Sequence, residues 1–139
     1  MIAYLDASVL VPLVVVDAHN ERALAVIRRH NPTLIVSDFA AAEFASAIAR
    51  RVRSNDLTRS DAQSAFTTFD SWSSHVTRPV QTASADLSVA AGWIRWLDLN
   101  LRAPDAINIA IARRIGAEPF TFDLKMAEAA AALGVSVRA

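Results

Sequence analysis

The sequence predicts an open α/β fold: a central parallel sheet of five strands between layers of helices, in a three-layer α/β/α sandwich. Two observations lead there. Short apolar runs of four to six residues alternate along the chain with longer Ala-rich or amphipathic stretches, the order expected of strands that are parallel and covered on both faces. The 139 residues are 53% hydrophobic and 20% charged, with three Gly and five Pro, so an ordered single domain spanning 1–139 is expected.

"IAYLD" reads as the first buried strand, and "SVLVPLVV" as a brief helix or turn limited by Pro12. Asp17 is a candidate N-cap for the helix "AHNERALAVIRR", and "TLIVS" follows as the second strand. "DFAAAEFASAIARRVRS" and "RSDAQSAFTTFDSW" then form a helical hairpin, the second helix showing Ala62, Ala65, Phe66, Phe69 and Trp72 on one face.

"RPVQTA" is a weak third strand, and "SADLSVAAGWIRWLD" a helix with Leu87, Ala90, Ala91, Ile94 and Leu97 as its expected apolar stripe. "PDAINIAIARRIG" is apolar nearly all round, with Pro104 in its first turn and Gly116 at its end, so it belongs at the centre of the fold. "EPFTFD" is the fourth strand, "LKMAEAAAALG" a helix closed by Gly134, and "VSVRA" a short fifth strand.

Several classes are disfavoured by composition. No cysteine is present, which excludes a disulfide framework, a thiolate metal site and a Cys nucleophile. The apolar N-terminal run is interrupted by Asp6 and Pro12 well short of the roughly 20 residues of a membrane span, and it lacks the marks of a signal peptide, so a cytoplasmic protein is expected. Formal net charge is zero, yet 13 of the 14 basic residues are Arg, whose planar fork suits phosphate.

Most of the 14 acidic residues lie in polar surroundings or at helix starts. Asp6, Glu43, Asp105 and Asp123 do not. Asp6 follows a buried strand, Glu43 shares a helical stripe with Phe39 and Ala47, Asp105 opens the most apolar helix, and Asp123 ends the strand "FTF". Each has an ordinary alternative role: Asp6 or Asp123 as a cap, Asp105 as a complement to a helix dipole, Glu43 as a partner of Arg50.

In an open parallel sheet, however, strand ends converge where strand order reverses, and all four carboxylates can reach that crevice. Mutual repulsion would raise their pKa values unless cations neutralised them. An all-oxygen set without His or Cys points to Mg2+ or Mn2+. Two such ions would bring the formal charge to about +4 and leave the arginines free for phosphates.

The order and context of these motifs resemble the PIN-domain family along nearly the whole chain, and more narrowly its VapC-type toxins. "YLDASVLVPL" resembles the family's opening strand with its Asp and small hydroxyl residue, "SDFAAAEFASAIARR" its second motif, "LRAPDAINIAIARRIGA" its third and "FTFDLKMAEAAAALGV" its fourth. The resemblance implies a PIN-like sandwich and a metal-dependent endoribonuclease whose four acids hold one or two Mg2+ or Mn2+ ions. Asp6 and Asp105 are implied as direct ligands, Asp123 as completing the site, and Glu43 as a ligand directly or through water. Ser8 and Asn108 match supporting positions, and Asn108 stands where His is common in the family.

A VapB-type antitoxin, a homodimer, and RNA cleavage leaving a 5'-phosphate and a 3'-hydroxyl are implied as well. Arg50, Arg51 and Arg53, with Arg113 and Arg114 behind them, are candidate RNA-backbone contacts, each equally readable as part of a solvated helix face. His19, His30 and His75 fall outside the motifs and are assigned to the surface. Phe66 and Phe69 are expected in the core, whereas of Trp93 and Trp96 at least one is expected to face a partner.

Three other classes fit the residues less well. A haloacid-dehalogenase-type phosphotransferase needs a second Asp where Ser8 stands. A receiver domain needs an acidic pair after the first strand, where Asp6 stands alone. A catalytically silent PIN domain that only binds RNA or protein is disfavoured by the presence of all four acids.

Overall fold

In a computed structural model, residues 1–16 and 18–138 are described, so the expected Asp17 cap lies outside the described residues. Strands β1 (Ile2–Leu5), β2 (Thr33–Ser37), β3 (Thr77–Val80) and β4 (Glu118–Phe120) form a parallel sheet in the order β3-β2-β1-β4. Because β1 is central, Ala3, Tyr4 and Leu5 are fully inaccessible, which explains its unbroken apolar run. β3 forms an edge, where Pro79 costs no ladder bond to a further strand.

The expected fifth strand is a correction. Its residues contribute one parallel bridge, Phe120 to Arg138, with hydrogen bonds from Thr121 N–H to the Arg138 carbonyl and from Arg138 N–H to the Pro119 carbonyl, both 2.9 Å. β4 has only three residues before the chain turns out of the sheet towards the next helix, so little edge remains for a partner strand.

Seven helices flank the sheet among the described residues: α1 (Ala7–Val14), α2 (Asn20–His30), α3 (Asp38–Arg53), α4 (Arg59–Val76), α5 (Ser84–Ile94), α6 (Ala103–Arg114) and α7 (Leu124–Ala132). α1 is a true helix despite Pro12, but it stays at eight residues, and the Pro12 carbonyl is taken up by the Asn20 amide at 2.6 Å. α3 and α4 form the expected hairpin, with Asn55 at a φ of 62° in the turn and Thr58 capping α4. Phe44 of α3 stacks on Phe69 of α4 at 4.3 Å.

Two apolar clusters result, one joining the sheet to α1–α4 and one joining α5, α6 and α7. α6 serves both: Ile111 and Ala112 belong to the first, and Ala106, Ile109 and Ala110 to the second, which accounts for its all-round apolar character.

α5 departs from expectation. Its buried face carries Asp86, Ala90 and Trp93, whereas Leu87 and, beyond the helix end, Leu97 are exposed. The rotation is possible because Asp86 is not left unpaired. It accepts from Arg114 Nε at 2.8 Å and Nη2 at 3.0 Å, and caps its own helix through the Ala83 N–H at 2.8 Å. Burying Trp93 beside it then removes more apolar area than Leu87 would.

Phe44 is 1% exposed and central to the first cluster, so Phe44→Ala should lower the unfolding free energy by about 3–5 kcal/mol in chemical denaturation. Arg114→Gln should lower Tm more than Arg113→Gln, because only the former strips the buried Asp86 of its counter-charge.

Candidate active site

From β1 the chain moves outward through β2 to β3, then returns to place β4 on the other side of β1. The carboxyl ends of β1 and β4 therefore flank the reversal of strand order, where an open α/β sheet leaves its crevice. Leu5 pairs with Phe120, so the next residues, Asp6 and Thr121, come side by side. Asp6 is 5% exposed. Its Oδ1 accepts from Ser8 Oγ at 2.6 Å and Val9 N–H at 3.3 Å, and its Oδ2 from Thr121 Oγ1 at 2.6 Å.

Capping and site membership are thus one arrangement: Asp6 is the N-cap of α1, and Asp123 is that of α7, accepting from Lys125 N–H at 2.9 Å and Met126 N–H at 3.2 Å. The same hydroxyls hold the returning chain. Ser8 Oγ accepts from Phe122 N–H at 2.8 Å, and Thr121 Oγ1 from Asp123 N–H at 3.0 Å.

Glu43 enters from α3 and is held by Asn108 of α6, whose Nδ2 donates to Glu43 Oε1 at 2.6 Å and to the Pro104 carbonyl at 3.0 Å. Asn108 Oδ1 accepts from the Tyr4 hydroxyl at 2.6 Å, and that hydroxyl lies 2.6 Å from Ser37 Oγ, the cap of α3. A buried chain therefore runs from the start of α3 through β1 and α6 to Glu43. At the position where His is common, this Asn links the acid to Tyr4. Burial and the nearby acids push the Tyr4 hydroxyl far above its ordinary pKa, so it remains a neutral donor.

Asp6, Ser8, Glu43, Asp105, Asn108 and Asp123 line one crevice of about 500 Å3, together with Arg50 and Arg102. Burial chiefly raises the pKa of Asp6, against hydrogen bonds from Ser8, Thr121 and Val9, and Asp123 adds to the rise. Glu43 is raised by burial and then by Asp6, Asp105 and Asp123, with the Asn108 bond opposing. Asp105 is raised by burial and by Asp123, with Arg102 opposing.

Asp6, Glu43 and Asp105 therefore each sense the Asp123 carboxylate, and the all-oxygen chemistry of the four fits a hard divalent cation. They line the crevice separately: among the described residues no group of three or more His, Cys, Asp or Glu already stands together as a metal site. A groove of similar size, about 550 Å3, lies between the start of α3 and β3, but its lone carboxylate, Asp38, is taken up by Thr82 at 2.6 and 2.8 Å.

The predicted supports Ser8 and Asn108 both contact the acids. Of the candidate arginines, Arg50 lines the crevice, Arg51 lines an adjoining groove, and Arg53 is exposed at the end of α3. Arg113 and Arg114 end the helix that Asp105 opens, about 12 Å along its axis. Arg113 lies over the Trp93 ring at 5.8 Å, and Arg114 is engaged by Asp86 and the Gln81 carbonyl. Thr121, Tyr4 and Arg102 also belong to this network or crevice, and sequence pattern does not single them out. Thr121 carries a faint signal, a hydroxyl at a strand end two residues before Asp123, whereas Tyr4 is indistinguishable in sequence from the core residues around it.

Three carboxylates with folded pKa values raised above their unfolded values bind protons more tightly in the native state. Their contribution is fully present below about pH 4 and is lost as pH rises through the raised values. Asp38, held down by Thr82, and Asp86, where bonds from Arg114 outweigh burial, act in the opposite sense but below that window. In EDTA, Tm should therefore fall as pH rises from 4.5 to 7.5, about within that range. Glu43→Gln should flatten the fall, and an unchanged slope would count against the coupling.

A family model described as "PIN domain" matches residues 3–132. No curated protein sequence matches the chain. Among solved structures, VapC20 of Mycobacterium tuberculosis, a sarcin-ricin loop cleaving toxin, is similar with a TM-score of 0.72 at 19% identity, over 96% of this chain and 95% of that one. VapBC-1 from nontypeable Haemophilus influenzae gives 0.70 at 13% identity, covering 99% and 97%. VapBC2 from Rickettsia felis, bound to a DNA fragment from its promoter, gives 0.69 at 16% identity, covering 93% of each chain. At these identities the likeness to solved structures is one of fold, and the family model covers nearly the whole sequence. The chain belongs to the PIN-domain family.

Proposed function

We propose that this PIN domain is a metal-dependent endoribonuclease and the toxin of a type II, VapBC-type toxin-antitoxin pair. The observation that carries the reading is the convergence of Asp6, Glu43, Asp105 and Asp123 on one crevice, three of them with pKa values raised partly by the others. Such a cluster is costly as it stands and favourable around a cation. The likeness in fold to VapC20 and to VapBC complexes supports the biological setting.

Asp6, Asp105 and Asp123, with Glu43 directly or through water, would hold one or two Mg2+ or Mn2+ ions. Bound ions would supply an attacking water of lowered pKa and positive charge against the phosphoryl transition state. Ser8 and Thr121 each fix one oxygen of Asp6, and Asn108 fixes Glu43, so the donor atoms are oriented before any ligand arrives. Arg50 and Arg102, lining the same crevice, are placed to meet RNA phosphates. A VapB-type antitoxin and a homodimer complete the proposal. Trp96 at 58% and Leu97 at 88% exposed, with Leu87, are the surface assigned to a protein partner.

Purified protein free of antitoxin should cut total RNA in Mg2+ or Mn2+, leave 5'-phosphate ends, and stop in EDTA. Asp6→Asn should reduce cleavage by at least about a hundredfold while the circular dichroism spectrum is kept. Cleavage that persists in Asp6→Asn would place the chemistry elsewhere. Intact protein that binds RNA but never cuts it would favour the binding-only reading.

A further inference from the structure

Beside the acidic crevice lies a second recess of about 400 Å3 with different chemistry. Its lining includes Val11 and Pro12 of α1, Ala47, Arg50 and Arg51 of α3, and the neighbouring rings of His19 and Phe122. Among the described residues that line it none is a carboxylate. Ala7, Ser8, Ala47 and Arg50 line both recesses, so the two adjoin.

The Phe122 ring is set by its surroundings. The Arg22 guanidinium lies over it at 4.5 Å, the His19 ring stands 6.2 Å away at a tilt of 38°, and its backbone N–H is bound by Ser8, which also holds Asp6. An aromatic residue is thereby tied to the same hydroxyl that orients the first carboxylate.

We propose that this recess seats an unpaired nucleobase of the RNA, adjacent to the bond over the acids. The proposal rests on the ribonuclease reading and deepens it by naming the substrate as single-stranded at that nucleotide. An apolar slot with an aromatic residue in its lining suits the face of any base, and Arg50 beside it suits a flanking phosphate. Charge complementarity favours nucleic acid: Arg50, which lines both recesses, offers a phosphate a cation on the side of the slot nearest the acids. A base buried here would anchor the strand so that its neighbouring phosphate passes over Asp6 and Asp105. Duplex RNA cannot present a base in this way without unpairing.

The test uses the full chain carrying Asp105→Asn, in EDTA, with a fluorescein-labelled single-stranded RNA decamer and a blunt duplex containing the same sequence, read by anisotropy. Phe122→Leu removes the aromatic ring, and Ala47→Leu fills the slot while keeping a strong helix former. Each should weaken single-strand binding about tenfold and leave duplex binding unchanged. Arg50→Gln should reduce the log-log salt slope for the single strand by about 0.7.

If both slot variants keep the Tm of the parent and still bind the single strand within about twofold of it, the slot is rejected, including the case in which only binding of an antitoxin-type peptide is lost. Cleavage by the unsubstituted chain in Mn2+ tests the parent reading separately. Cleavage with unaltered RNA affinity in both variants rejects the slot alone, whereas weakened affinity without cleavage by the unsubstituted chain keeps the slot and rejects the nuclease.

Discussion

Burial of the Asp6 carboxylate at the end of the central strand is the constraint on which the rest of the site depends. A buried carboxylate without partners is strongly disfavoured, and Asp6 is held by three donors: Ser8 and Val9 on the helix it caps, and Thr121 just past the neighbouring strand. Those bonds join β1, α1 and the β4–α7 turn into one unit. The parallel register that sets Leu5 opposite Phe120 brings Thr121 to Asp6, and Ser8 and Thr121 then fix the backbone around Asp123. Positions of two acids far apart in sequence follow from one local requirement.

The second pair of acids is organised by a different route. α6 must be apolar on nearly all sides because it separates two clusters, yet it carries Asp105 and Asn108 near its start. Both polar side chains face the crevice end of the sheet, and Asn108 is satisfied by Tyr4, Glu43 and the Pro104 carbonyl. The site therefore combines rigid supports with acids that still repel one another, the arrangement expected of a scaffold built around a cation.

Charge away from the crevice is handled locally. Asp86 and Arg114 neutralise each other between α5 and α6, and Arg138 pairs with Glu118 at 3.0 Å on the edge of the sheet. Consequently the arginines do not act as a single basic face. Arg114 is structural, Arg113 lies against Trp93, and Arg50 and Arg102 remain beside the acids. A neutral total charge is compatible with a local basic rim, because phosphate responds to the charges within about a Debye length of 10 Å rather than to the sum.

By itself the sequence determined the alternation of strands and helices, the central place of α6, and the four acids, because short apolar runs, an all-round apolar helix and unexplained carboxylates are properties of neighbouring residues. It could also name Ser8 and Asn108, through their spacing from Asp6 and Asp105 and the family they resemble. It could not settle which face of α5 is buried, since that depends on Arg114 arriving from α6 to pair with Asp86. Nor could it show that the fifth strand shrinks to one bridge, that Thr121 and Tyr4 belong to the site, or that Arg50 and Arg102, but not Arg113 and Arg114, line it. These were decided by tertiary structure, because each depends on the register and packing of segments separated by many residues, where the energy lies in pairings that local pattern does not contain.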